Sequence, residues 1–256
     1  MIKTFFDQSS ENDISLDRVD GREKVMGTAT YSAEYALERL AHAVLITSTI
    51  AKGYILQMDT KQAEGAPGIL AVINHENSPG VPGYGTSKQP AERAPSGTAF
   101  RVFYDHFIYF SGQPIAMVVA ETWEQAQYAA SLVKVTYQTE SHQTNFEENM
   151  HQALISPGVL KNKNSPFQDY SRGSEEVSQN TKNSIEATYT IPTQHHQPME
   201  PHAIVAVWKG TDQLLVYDKN QGVKSAQWIL SQAFKIPKEN VQVNAKYIGG
   251  AFGSGI

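Results

Sequence analysis

Three short stretches carry residue types that do chemistry. The first, TQHHQPMEPH at 193–202, sets three histidines and a carboxylate within eight positions: His195, His196, Glu200 and His202. Imidazole and carboxylate are metal ligands. The helical spacing that would present two histidines on one face is missing, however, and Pro198 and Pro201 forbid a regular helix here. The pattern favours a loop and strand start whose histidines hydrogen-bond backbone over direct metal ligation. The second stretch is Asp218-Lys219-Asn220-Gln221-Gly222, a polar turn. Gln221 there is either a turn or capping residue, or an amide that donates to a ligand oxygen from the end of a strand. The third is YIGGAFGSG at 247–255, a phenylalanine among four glycines. Backbone N–H groups in such a run can cradle an anion at close approach, yet the same run also makes a plain tight turn. It is not a P-loop, because no Gly-Lys-Ser/Thr follows, and Gly250, Gly253 and Gly255 lack the dinucleotide-binding spacing. On residues alone both readings stay open.

These stretches must be positioned by elements that the hydrophobic pattern outlines. In AHAVLITSTIAKGYILQMD, two apolar runs split by Ala51-Lys52-Gly53 predict two strands joined by a turn. Residues 61–65 read as a short helical turn and GILAVIN as a buried strand. Residues 78–98, rich in proline and glycine, read as a long surface loop. HFIYFSGQPIAMVVAET predicts two strands around Ser111-Gly112-Gln113-Pro114, a turn without chemistry of its own. Thr122 with Gln125 forms a capping box, and Ala126, Ala129, Ala130 and Val133 repeat at helical spacing, so a helix follows. VKVTY then alternates as a strand. Beyond a polar stretch, IEATYTI, AIVAVWKG and LLVYD predict three strands. A helix is expected over Val223 to Phe234, with Ala226, Ile229, Leu230 and Ala233 as its apolar face and Pro237 as its stop. VQVNAKYI is expected to run as a strand straight into the glycine loop. The fold class is α+β, of mixed α/β type.

The 256 residues are 40% apolar, enough for a substantial core, and the net charge of −5 argues against a generic nucleic-acid binder. The absence of cysteine rules out a disulfide framework, Cys-ligated zinc and Cys-ligated iron–sulfur clusters within these residues. The N-terminal stretch lacks an apolar signal core, and AHAVLIT is too short to cross a bilayer.

Taken together, the segments resemble the molybdenum-cofactor large subunit of the xanthine dehydrogenase/aldehyde oxidase family, in its bacterial aldehyde oxidoreductase-like branch. KVMGTATYSAE, AHAVLITSTIAKGYILQMDTKQAEGAPGILAVINHEN and YFSGQPIAMVVAETWEQAQYAASLVKVTY are similar to its hammerhead α/β domain. HHQPMEPHAIVAVW resembles the opening of its first cofactor-binding domain. The resemblance divides the chain into a polar leader (1–22), the hammerhead-like domain (23–140), a linker (141–183) and the start of a molybdopterin-binding domain (184–256).

What the resemblance implies is specific. Gln221 matches a glutamine aimed at an oxygen ligand of molybdenum, and Gly222 matches its neighbour on the cofactor. Gly250, Ala251, Phe252 and Gly253 match the loop that lies against pterin and metal, with Phe252 helping to keep the site dry. Ala251 stands where many relatives have a third glycine, so its φ is expected to stay negative. The implied cofactor is molybdopterin with molybdenum, in the cytosine dinucleotide form. The implied reaction is oxidation of an aldehyde or purine-like N-heterocycle with water as oxygen source. Electrons would leave through [2Fe-2S] clusters and FAD on partner subunits. The family's glutamate base has no counterpart among these residues, Glu200 included, so the remaining part of the molybdenum subunit is an expected partner. The expected location is cytoplasmic, or periplasmic through export with a partner subunit. Two rival readings are a non-catalytic remnant or interaction module that binds no cofactor, and a stand-alone metal protein using His195, His196 and His202.

Overall fold

A computed structural model of the chain describes residues 17–84, 93, 100–153, 183, 185 and 187–255. Its first unit is two three-stranded antiparallel sheets sharing a core. Strands β1 (His42–Thr47), β2 (Gly53–Asp59), β3 (Ile69–Asn74), β4 (Phe107–Ile108), β5 (Pro114–Ala120) and β6 (Lys134–Thr139) arrange as β1-β5-β3 and β4-β2-β6. The two runs expected as neighbouring strands, β1 and β2, both form but do not pair: β1 joins β5, and β2 lies between β4 and β6. The central strand β5 is the most continuously apolar because both its flanks are paired and its faces covered. Its Ile115 and Ala116 pack with Ile55, Met58 and Ile108 of the other sheet, and its Val118 packs with Ala63, Val72 and Ala129.

Short helices α1 (Gly21–Val25) and α2 (Lys61–Glu64) precede α3 (Trp123–Leu132), which closes the first sheet. Thr122 caps α3: its hydroxyl accepts from Gln125 N at 3.3 Å, and Gln125 Oε1 accepts from Thr122 N at 3.1 Å. Ala126 and Ala129 are fully buried, so the helix lies close on its sheet. The expected surface loop at 78–98 contains a 3₁₀ turn at Pro82–Tyr84; residues 85–92 and 94–99 lie outside the described residues. In the stretch read as a linker, α4 (Phe146–Asn149) and a 3₁₀ turn at Met150–Gln152 form, and 154–182 lie outside the described residues.

The second unit holds β7 (Ile204–Lys209), β8 (Gln213–Asp218), α5 (Val223–Phe234) and β9 (Val241–Asn244). β7 and β8 are an antiparallel hairpin, whereas β8 and β9 run parallel, joined by α5 as the crossover. Three expectations change here. IEATYTI forms no strand among its described residues: Ile185, Tyr189 and Ile191 are exposed, with no neighbouring strand to complete a ladder. VQVNAKYI pairs only through Asn244, since the register sets Asn244 opposite Tyr217, one residue before β8 ends. Finally, the face of α5 against β9 is not the all-apolar one expected. Ser231 is its buried residue and Ile229 is exposed. Gln227 faces inward because its side-chain amide donates to the carbonyls of Lys238 (3.1 Å) and Val241 (2.8 Å). Ser231 is satisfied by donating to Trp228 O at 2.9 Å.

Residues 20–35 strap the second unit. Lys24 Nζ donates to Ile248 O at 2.9 Å, Tyr35 stacks on Tyr217 with ring centroids 3.8 Å apart, and Tyr31 meets Tyr247 edge-on. The described residues of the polar leader, 17–22, run into α1.

Candidate functional site

Two loops meet where the parallel strands end. The turn 219–222 leaves the carboxyl end of β8, the glycine loop follows β9, and α5 begins between them in the chain. Crevices at the carboxyl ends of parallel strands are where open α/β sheets bind ligands. The two loops are joined directly: Gln221 N donates to Gly255 O at 2.6 Å, and Lys219 Nζ to Ser254 Oγ at 3.5 Å. The structure therefore brings the sequence-predicted Gln221 and Gly222 together with the loop carrying Gly250, Ala251, Phe252 and Gly253.

Each side of this pair is fixed by local chemistry. In the turn, the buried Asn220 accepts from Gly222 N through Oδ1 at 2.5 Å. That bond sets the turn and leaves the neighbouring Gln221 side chain exposed. Gly222 occupies the N-cap of α5 with no side-chain cap. In the glycine loop, Gly250 (φ 96°), Phe252 (φ 51°) and Gly253 (φ 98°) are left-handed, and Phe252 and Gly253 are the central residues of a tight turn closed by Ser254 N donating to Ala251 O at 2.8 Å. Ala251 is absent from the left-handed residues, as expected of a residue with a methyl group, and is buried. Phe252, expected to help dry the site, is 74% exposed. Ser254 closes the loop, its N–H and its hydroxyl both donating to Ala251 O.

The residue that sequence reasoning missed as a support is Glu200. It was a candidate metal ligand, yet it is buried and both of its carboxylate oxygens accept hydrogen bonds from protein groups. Its Oε2 accepts from Gly249 N at 2.8 Å, its Oε1 accepts from Ser32 Oγ at 3.0 Å and from Ser32 N at 3.3 Å, and its own N–H donates to Gly249 O at 3.1 Å. Glu200 thereby pins the start of the glycine loop to the strap. Gly249 is required there because a Cβ would lie 2.5 Å from Glu200 Cβ. The available signal was the pair of prolines bracketing Met199-Glu200, which stiffens the segment.

His195, His196 and His202 are exposed and do not gather into a metal-holding group among the described residues. The expected hydrogen bonds from these histidines to backbone are not found among the described residues; His196 lies beside Gly253. Asp218, half-buried at the end of β8, has its carboxyl pushed above the usual carboxylate range. Burial is the main cause, opposed by the Asn220 hydrogen bond and the nearby His202 and reinforced by Glu200.

With this geometry in hand, known proteins resolve the two units. Residues 26–141 match the family model of the aldehyde oxidase and xanthine dehydrogenase a/b hammerhead domain, and residues 159–255 that of the molybdopterin cofactor-binding domain. The chain is 36% identical over 239 residues to the aldehyde oxidoreductase molybdenum-binding subunit PaoC of Escherichia coli K12, covering 93% of this chain and 30% of that protein. It is 25% identical over 251 residues to the xanthine dehydrogenase molybdenum-binding subunit of Escherichia coli O157:H7, covering 93% of this chain and 32% of that protein. It therefore spans about a third of the length of these relatives. Quinoline 2-oxidoreductase from Pseudomonas putida 86 shares the fold with a TM-score of 0.68 at 19% identity, over 93% of this chain and 30% of that one. CO dehydrogenase from Oligotropha carboxidovorans does so with a TM-score of 0.68 at 20% identity, over 94% and 31%. Two family models in tandem, on a fold with the matching order of elements, show that the chain belongs to the aldehyde oxidase and xanthine dehydrogenase family and corresponds to the N-terminal part of its molybdenum-binding subunits.

Proposed function

We propose that this chain is a component of a molybdenum hydroxylase that oxidises an aldehyde or a purine-like N-heterocycle with water as the oxygen source. The observation that carries this reading is the direct junction of the Gln221 turn with the glycine loop at the carboxyl ends of β8 and β9. The residues fit molybdopterin. Gly250 and Gly253 hold backbone that a side chain would strain, and Gln221 stands exposed on the turn that is bonded to Gly255 of the same loop. Gln221, Gly222, Gly250, Ala251, Phe252 and Gly253 would hold the cofactor, in its cytosine dinucleotide form. When bound, the cofactor supplies the oxygen-transfer and two-electron redox chemistry.

The chain's own residues orient and bind. The Gln221 amide donates a hydrogen bond without adding charge, which suits orienting an oxygen on the cofactor. The turn bond from Gly222 to Asn220 fixes the backbone from which that amide projects, and Glu200 fixes the start of the glycine loop through Gly249. The proposed partners are an iron–sulfur subunit, an FAD-binding subunit and the remainder of the molybdenum subunit. The lack of cysteine in these residues places any thiolate-bound cluster elsewhere.

The test is Gln221→Ala in the assembled enzyme, assayed against a panel of aldehydes and N-heterocycles. Turnover is expected to fall by about 10²-fold, the scale of one lost electrostatic donor, with molybdenum content unchanged. Unchanged turnover would remove Gln221 from this role.

A further inference from the structure

Strand β9 pairs only as far as Asn244, and the glycine loop begins at Gly249. The stem between them, residues 245–248, joins no strand ladder among the described residues. One peptide group at its end, linking Ile248 to Gly249, is held instead by side chains of opposite charge. Lys24 Nζ donates to its carbonyl, Ile248 O, at 2.9 Å. Glu200 Oε2 accepts from its N–H, Gly249 N, at 2.8 Å. A peptide unit is planar and dipolar, so a cation on the oxygen and an anion on the N–H complement both of its ends at once. Hydrogen bonds with an ionised partner are roughly twice as strong as neutral ones.

Both gripping side chains are anchored from behind. Asp20, at the N-cap of α1, places Oδ2 at 2.8 Å from Lys24 Nζ, and the lysine side chain is only 20% exposed. Ser32 donates to the other carboxylate oxygen of Glu200 through both its N–H and its hydroxyl. The strap that carries Lys24 and Ser32 is closed on itself. Thr28 N and Ala29 N donate to Glu23 O at 2.9 and 3.2 Å where α1 ends, and Tyr31 N donates to Glu34 Oε2 at 2.7 Å beside Ser32. Tyr31 also meets Tyr247 edge-on, two residues before Gly249, with ring centroids 6.4 Å apart. The clamp acts where the chain is otherwise free to turn: Gly249 has no Cβ to oppose a flip of the peptide before it, and Gly250 follows at a φ of 96°.

We propose that Lys24 is a positioning residue for the glycine loop. Anchored by Asp20, it closes with Glu200 a clamp of opposite charges on the Ile248–Gly249 peptide, and so fixes the plane from which the loop departs. The strap thereby sets the geometry of a loop in the second unit. The inference rests on the proposed function only in taking molybdopterin as what that loop holds.

The experiment is amide hydrogen exchange on the full chain, read at the two bonded loop amides, Gly249 and Ser254, against the amides of β8 and α3. Lys24→Met keeps the reach of the side chain and removes its donors. It is expected to speed exchange at Gly249 and Ser254 by about tenfold, the effect of one lost charge-assisted bond, while β8 and α3 keep wild-type rates. Lys24→Arg is expected to restore slow exchange at both loop amides. Asp20→Asn, which leaves the lysine without its anchor, is expected to give the same pattern at about threefold, the scale of a partly exposed ion pair. It decides alone should Lys24→Met not fold. With either variant, loop exchange that stays at the wild-type rate, or an increase shared equally by β8, overturns the clamp, as does a Lys24→Arg that leaves the loop amides fast. Molybdenum measured on the partner-bound wild type separates the two readings. Faster loop exchange in Lys24→Met with no molybdenum in that complex keeps the clamp and removes the cofactor. Unchanged loop exchange with molybdenum present does the reverse.

Discussion

Glu200 and Gly249 show how much of the site rests on one close contact. Replacing Gly249 by alanine puts a methyl carbon 2.5 Å from Glu200 Cβ and 3.2 Å from its backbone nitrogen. Neither atom is the free end of a flexible chain, so the loop and the Glu200 segment must separate. Gly249→Ala is expected to cost about 1–3 kcal/mol in urea unfolding, the range for overpacked sites. Glu200→Ala, which strands donors on Gly249 and Ser32, is expected to cost more than Glu200→Gln, which keeps one acceptor oxygen. Equal losses for the two would mean the carboxylate merely fills space. Asp218 gives a pH signature. Its folded pKa is raised, so the folded state favours the protonated form; its contribution to stability is fully present below the unfolded value near 3.8 and is lost as pH rises through the folded value. Asp218→Asn is therefore expected to melt above the wild type at pH 7, with the gap closing towards pH 3.5. A gap independent of pH would contradict the assignment. None of this was legible beforehand: a Glu between two prolines looks the same whether it meets a metal or a glycine N–H.

Among the elements, those with a strong local signal were readable. Helix α3 declares itself by its capping box and alanine spacing, and both form. Thr122→Ala is expected to destabilise the first unit by about 1 kcal/mol in thermal or urea unfolding, with no effect on the glycine loop. The bounds of α5 were equally plain, from Gly222 before it and Pro237 after it, but its inward face was not. A periodicity count scores Gln227 as solvent-facing, because the carbonyls of Lys238 and Val241 that satisfy it come from the far side of a turn. Pairing was harder still. β1 and β2 adjoin in sequence and would suit a hairpin, yet each finds its partners from 107–139, and nothing local encodes that choice. IEATYTI has the composition of a strand but no ladder to join among the described residues, and composition alone does not supply the missing hydrogen bonds.

At the scale of the molecule, the site depends on both units. The strap at residues 20–35 touches the second unit through Lys24, Tyr31, Ser32 and Tyr35, and the Ser32 contact ends on the carboxylate that holds the glycine loop. The order of segments announced the family before any coordinate, whereas the bracing of one unit by the other depends on pairs about 170 to 220 residues apart. The central claim is that the Gln221 turn and the glycine loop together hold molybdopterin. Its most direct test is the molybdenum content of the complex recovered from the native host with this chain as bait, for the wild type and for Gly253→Val. Valine at a φ of 98° is strained, and its Cβ would lie 3.5 Å from His196 Nε2. The account predicts stoichiometric molybdenum with the wild type and its loss with Gly253→Val, while both recover the same partner proteins. A wild-type complex without molybdenum, or a variant complex that retains all of it, would contradict the account.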